Sequence, residues 1–261
     1  MKRPRSYVGI TGFETGAQVG AVRNALPADR LLMVGCGIHD KPPDWEPFKW
    51  PNRCPTTSRL AEIFLPYNDV LNILHMHPDV DFDLFENMSR AHDAAGPHFH
   101  GFQLNTIWPD VRSLVRYKER CPTATITIAL QEESLDVVEW KPREIARRLA
   151  LYGDAIDRVI LDPSAGCGKP IKIGFTRRTY EEIERLLPCL GLVAAGALHA
   201  DNVEDQLSEL LRQFELSTDA ESKLRVFPAD LLDVQKAIRY VQTTDALLRK
   251  YETHRKLQPV N

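Results

Sequence analysis

The sequence predicts a single (β/α)8 (TIM) barrel domain over residues 1–261, and three observations lead there. Short β-rich runs alternate with helical periods from one end of the chain to the other. Eight of each can be counted, with nothing left over for a second domain. The strand runs are nearly all apolar, as expected of parallel strands buried on both faces beneath helices. A composition of 43% apolar and 26% charged residues over 261 positions is that of an ordinary globular protein with a substantial core.

In chain order the strands are expected at 7–11, 31–36, 70–77, 99–104, 124–130, 158–162, 191–195 and 214–218. Three of the intervening helices carry capping signals, because an N-cap oxygen satisfies a backbone N–H that has no partner within the helix. These are Thr15 with Gln18, Thr179 with Glu182, and Asp201 with Glu204. Pro109 and Pro142 sit where a first helical turn tolerates proline. The apolar faces read Val22/Leu26, Leu60/Ile63/Phe64, Leu114/Val115, Ile145/Leu149, Ile183/Leu186/Leu187, Val203/Leu207/Leu210/Leu211 and Leu231/Val234/Ile238/Val241. The C-terminal stretch with Leu247-Leu248-Arg249-Lys250-Tyr251 either extends the last helix or covers a neighbouring subunit, which leaves a homodimer open.

One connection is abnormal. Between Cys36 and Thr57 the loop after the second strand holds Pro42, Pro43, Pro47, Pro51, Pro55, Trp45 and Trp50. It is far longer than a usual βα loop of ~2–6 residues. Such a loop lies on the C-terminal face of a barrel, where active sites are built, so it reads either as a substrate wall or as a self-packed insertion.

Lys+Arg number 33 against 36 Asp+Glu, a formal charge of −3, and no basic stripe extends beyond Lys2-Arg3-Pro4-Arg5. That balance argues against nucleic acid as a partner. Five cysteines without a C-x-x-C pair suggest neither a zinc ribbon nor a disulfide framework, and fit reduced thiols in a cytoplasm. The basic start runs directly into Tyr7-Val8-Gly9-Ile10, unlike a signal peptide, and no window has the length and apolarity of a membrane span. A soluble, cytoplasmic protein is the expectation.

Candidate chemistry lies at the C-terminal ends of the strands: Thr11, His77, Gln103 with Asn105, Gln131, Asp162, and Ser217 with Thr218. Asp162 closes the apolar run Val159-Ile160-Leu161, where partial desolvation suits a general acid, although helix capping would also place a carboxylate there. His75 and His77 share one strand face at a spacing that some metal-dependent hydrolases use. No later strand supplies matching ligands, so the pair reads as metal-free and no cofactor is implied. His98 and His100 open their strand and read as packing residues. Ser164-Ala165-Gly166-Cys167-Gly168-Lys169 is shaped like a phosphate cradle, but its spacing is common in turns.

Taken in order, these segments resemble phosphoribosylanthranilate isomerase, a single-domain (β/α)8 enzyme of tryptophan biosynthesis. Val8-Gly9-Ile10-Thr11 is similar to the tail of that family's K-I-C-G-I-T, and Asn52-Arg53-Cys54 to its S-P-R. Gly101-Phe102-Gln103-Leu104-Asn105 is similar to V-Q-L-H-G. Leu161-Asp162 followed by Gly166-Cys167-Gly168-Lys169 resembles L-D followed by G-G-T-G-K, the most specific element. Ala195-Gly196-Ala197-Leu198 with Asn202-Val203 resembles A-G-G-L-x-x-x-N-V, and Leu216-Ser217-Thr218-Asp219-Ala220-Glu221 resembles V-S-S-G-V-E.

The resemblance implies an Amadori-type aldose–ketose isomerisation of a phosphorylated sugar, with no cofactor. Asp162 aligns with the family's acid and Arg53 with its substrate-binding arginine; Gln103, Asn105 and Lys169 join as substrate-binding candidates. The phosphate would sit near Gly196 and Ser217, Thr218 and Asp219. Three positions depart from the pattern. The family's basic cysteine reads Val8, one phosphate-loop glycine reads Ala197, and another reads Asp219. A carboxylate beside a phosphate is repulsive by ~1 kcal/mol at 4 Å even in water. His77, Cys36 and Asp219 are the candidates for a replacement base, and the alternative is a ligand-binding barrel that has lost catalysis.

Overall fold

The computed structural model describes residues 2–38, 51–77, 83–162 and 168–257. Eight parallel strands close into a barrel in chain order: β1 Tyr7–Thr11, β2 Leu31–Ile38, β3 Val70–Met76, β4 Gly101–Leu104, β5 Thr125–Leu130, β6 Arg158–Leu161, β7 Gly191–Ala195 and β8 Leu216–Ala220. Closure is made by β1 against β8, with Gly9 opposite Asp219. Every expected strand is present. The last one lies two residues further on than its pattern suggested, which brings Asp219 inside the strand.

Around the barrel run α1 Gly16–Asn24, α2 Thr57–Ile63, α3 Leu84–Ala95, α4 Val111–Arg120, α5 Glu132–Asp136, α6 Pro142–Ala150, α7 Ile173–Leu186, α8 Val203–Leu211 and α9 Val234–Leu257. Thr15 caps α1 with a full capping box: its hydroxyl accepts from the Gln18 backbone N–H while the Gln18 side-chain Oε1 accepts from the Thr15 N–H. Pro142 occupies the first turn of α6, whereas Pro109 lies one residue before the Asp110 cap of α4.

Two capping expectations fail. Thr179 sits in mid-α7, where its hydroxyl donates to the Phe175 carbonyl, because that helix begins at Ile173. Asp201 precedes the true cap, Asn202, and pairs with Arg239 instead. Two apolar-face assignments also slip: Val115 and Leu186 are exposed. Leu231 belongs to a small antiparallel hairpin, β9 Arg225–Val226 with β10 Leu231–Leu232, rather than to the last helix.

The C-terminal stretch extends α9 and turns inward, with Leu247, Leu248 and Tyr251 buried in the molecule's own core. Arg30, just ahead of β2, reaches across to Asp245 at 2.6 Å and Glu252 at 2.9 Å. Trp45, Trp50 and the prolines 42, 43 and 47 of the long loop lie outside the described residues. Among the described residues no helix is long and apolar enough to cross a membrane.

Strand alternation divides the core in two. Val8, Ile10, Leu32, Val34, Leu74, Phe102 and their like face the helices. Tyr7, Met33, Ile73, Ala129, Ile160, Val193 and Ala195 fill the barrel. The inward residues of β1 are therefore Tyr7, Gly9 and Thr11. Val8, which the motif match sets at the cysteine position, faces away from the barrel axis.

Candidate active site

A cavity of ≈ 130 Å3 opens at the C-terminal end of the barrel. Its walls follow from the strand ends. His77, Asn105, Gln131, Asp162, Gly196 and Glu221 are each the first residue after a strand, and all line it. Thr11, His75, Gln103, Ala195 and Asp219 come from inward positions within strands and form the deeper part. Arg53 and Cys54 close one side from the short 3-10 turn Pro51–Arg53, which packs closely because Gly37 has no side chain: a Cβ there would meet Cys54 Sγ at 2.6 Å.

Seven of the ten expected site residues therefore meet in one cavity: Asp162, His77, Asp219, Arg53, Gln103, Asn105 and Gly196. The other three do not line it. Ser217 lies deeper in the barrel, where its hydroxyl accepts from the Tyr7 N–H at 3.2 Å. Thr218 faces outward, where its Oγ1 accepts from the Tyr240 hydroxyl of α9 at 2.9 Å. Successive strand residues point to opposite faces, so Asp219 in the cavity forces Thr218 out of it. Lys169 is exposed, with its backbone carbonyl against Gly196. Of the cradle-like segment, only Gly168 and Lys169 belong to the described residues.

Asp219 is the most confined of the cavity's carboxyls, 7% exposed. Both of its oxygens accept from the Thr11 hydroxyl, at 3.0 and 3.1 Å. Burial, reinforced by the charges of Glu221 and Asp162, holds it well above the usual carboxylate range against the opposing pull of that hydrogen bond. Thr11 Oγ1 in turn lies 3.4 Å from His75 Nε2. Burial pushes His75 down to about 3, with the neighbouring His77 adding to the shift, so its imidazole is neutral in ordinary buffers. Gly35 makes this meeting of β1 and β3 across β2 sterically open: a Cβ there would come within 2.6 Å of Thr11 Oγ1 and 2.8 Å of His75 Nε2.

A second polar chain runs along the wall. Gln103 Nε2 donates to Asn105 Oδ1 at 3.2 Å, and Asn105 Nδ2 lies 3.0 Å from His77 Nε2. The replacement-base candidate Cys36 is excluded by position. Its thiol is fully buried on the helix side, donates to the Phe13 carbonyl, and is pushed far up by burial.

Arg53 departs most from expectation. Its guanidinium donates to both oxygens of Asp230 at 2.8 and 2.9 Å and lies 3.2 Å from Glu221. Asp230 also pairs with Arg225 at 3.1 Å, and Arg225 pairs with Glu14 at 2.6 Å. Burial raises Glu221 although Arg53 and Arg225 both pull it down. Sequence reading gave no role to Glu14, Glu221, Arg225 and Asp230, because the pairs Glu14–Arg225 and Arg53–Asp230 join residues remote in the chain. Three carboxyls, Asp162, Asp219 and Glu221, thus face one cavity whose guanidinium is already engaged by carboxylates.

The loop after β7 keeps a glycine-like path despite its alanine. Gly196 has φ +133° and Ala197 φ +49°, the left-handed region that favours glycine. Asn202 pins this turn, donating to the Ala197 carbonyl and accepting from the His199 N–H, both at 2.9 Å.

No protein-family model matches the chain. No curated protein matches it either. Solved structures do. Phosphoribosyl anthranilate isomerase from Thermus thermophilus superposes with a TM-score of 0.63 at 14% identity, covering 92% of this chain and 99% of that one. The Thermotoga maritima enzyme gives 0.62 at 14% identity, with 93% and 100% covered. Tryptophan synthase subunit alpha from Legionella pneumophila gives 0.59 at 9% identity, with 94% of each chain covered. Likeness at these identities speaks for architecture: over most of its length the chain is distantly similar to phosphoribosylanthranilate isomerase and shares its (β/α)8 fold.

Proposed function

We propose that the protein is an acid–base isomerase of a sugar-derived substrate, working by an Amadori-type proton transfer like that of the isomerases it resembles. One observation carries this reading: a confined Asp219, held above the usual carboxylate range by burial, and a strand-end Asp162 face the same cavity from β8 and from the end of β6. Pairs of carboxyls in unlike environments suit an acid and a base on one substrate. Asp162 gives its proton to the ring oxygen as the C1–O bond breaks and the nitrogen lone pair forms C1=N. A base then takes the C2 proton, and the C–H electron pair forms C1=C2 while the C1=N π pair returns to nitrogen. The C2 hydroxyl returns a proton to Asp162 as C1 receives one, leaving a ketone at C2.

The phosphate of a phosphorylated substrate would be met by the backbone of the Gly196–Ala197 turn and by Lys169 at the rim, since Arg53 is occupied. Purified protein supplied with phosphoribosylanthranilate should consume its fluorescence and should rescue an auxotroph lacking that isomerase, and Asp162→Asn should abolish both. Failure of both removes this substrate assignment.

The engaged Arg53 and the carboxylate at the glycine position favour a second reading, a binding barrel without catalysis. Under it, Asp162→Asn leaves every proton-exchange rate unchanged while ligand binding persists.

A further inference from the structure

Asp219, Thr11 and His75 come from β8, β1 and β3, yet they touch in sequence at the floor of the cavity. Thr11 has a single proton to give. Asp219 can use that proton when ionised, and the neutral His75 can supply Thr11 with a donor in exchange, Nε2–H to Oγ1. The hydroxyl is then oriented from both sides, and the carboxylate is aimed by a group that cannot itself take its proton. The open position at Gly35 makes the arrangement specific, because any side chain there would separate Thr11 from His75.

We propose that Asp219 is the base that replaces the family's cysteine, and that Thr11 and His75 are positioning residues that hold its carboxylate toward the reacting carbon. This rests on the isomerase reading and names the group that the reading leaves open. In the step above, Asp219 takes the C2 proton and delivers it to C1, so that it ends as it began. Asp162 likewise gives one proton and takes one, and the reaction balances without a co-reactant.

The groups that bear on Asp219 from its surroundings are Glu221, with Arg53 behind it, Asp162, Tyr7 within the barrel and Tyr240 on α9. Those groups are common to wild type and variants, so differences between the variants isolate the hydroxyl.

Two measurements on the whole chain test the proposal. The first is the titration of the Asp219 carboxyl by carbon NMR with labelled aspartate, its signal assigned by its absence in Asp219→Asn. Thr11→Val should raise the midpoint by about one to two pH units, the size of a lost hydrogen bond to a charged group. Thr11→Ser should restore it, and His75→Phe should raise it by less than Thr11→Val does.

The second is the loss of the C1 proton signals of a 1-arylamino-1-deoxy-D-ribulose 5-phosphate, the Amadori product, in D2O. Thr11→Val should lower kcat by about 100-fold, with KM within about twofold, and should shift the acid limb of the pH profile upward together with the NMR midpoint. Unchanged titration and unchanged exchange in folded Thr11→Val overturn the proposal even where the wild type is active. Absence of exchange in the wild type overturns the isomerase reading, and the titration still decides whether the three side chains act as one unit.

Discussion

Each end of the barrel interior buries a charged side chain, and the two are treated differently. At the N-terminal end Arg158, 3% exposed, points inward from β6 beside the Tyr7 ring, and one of its nitrogens donates to the Arg5 carbonyl at 2.9 Å. Its Nε and Nη1 meet no acceptor among the described residues. At the C-terminal end Asp219 is almost as buried, but both of its oxygens accept from Thr11 and it borders an open cavity. Burial penalises both charged forms, lowering Arg158 and raising Asp219. Confinement alone therefore does not mark a site; what separates the two ends is access and a partner that donates a hydrogen bond to the charged form.

The comparison can be broken in several ways, the largest first. Asp219→Asn should lower turnover by about 10²–10⁴-fold, the usual worth of a general base, while leaving the protein folded. Its stability effect depends on pH. A carboxyl raised by folding adds stability that is complete below its unfolded value and is lost as pH rises through the folded one. Urea midpoints measured from pH 4 to 8 should thus fall for wild type relative to Asp219→Asn as pH rises. An equal slope in both proteins would contradict the assignment.

Asp230→Ala should cost about 3–5 kcal/mol in chemical denaturation, because it strips two buried guanidiniums, Arg53 and Arg225, of a shared carboxylate. Arg158→Met should behave in the opposite sense, raising stability by about 1–3 kcal/mol through removal of unpaired buried donors, with turnover unchanged. A fall in either quantity would make the lower end of the barrel functional as well. The smallest effect is expected from Thr218→Val: about 1 kcal/mol lost with the Tyr240 hydrogen bond, and no change in KM.

The fold was legible because β runs and helical periods repeat locally, and all eight strands lie where their apolar runs are. Helix starts were less so. The Thr179–Glu182 spacing imitates a capping box inside α7, and Leu231 fits a helical face although it pairs with Val226 across a hairpin. In the site, strand-end position sufficed to find His77, Gln103, Asn105 and Asp162. Naming Ser217 and Thr218 together went against strand alternation, which allows only one of two neighbours to face the axis. The family motif named Arg53 as a substrate-binding residue; it lines the cavity, but its carboxylate partners Asp230 and Glu221 come from the hairpin and the loop after β8, and no local pattern pairs them with it.

The seam between the first and last strands has a temporal side. Arg30 finds Asp245 and Glu252 only when α9 exists, and the same helix lays Tyr240 on β8 and Arg255 on the carbonyls of Leu211 and Phe214. In chain order α9 follows all eight strands, so it is synthesised after them. All eight strands can pair before α9 packs, and it is this helix that ties β8 to the segment just ahead of β2.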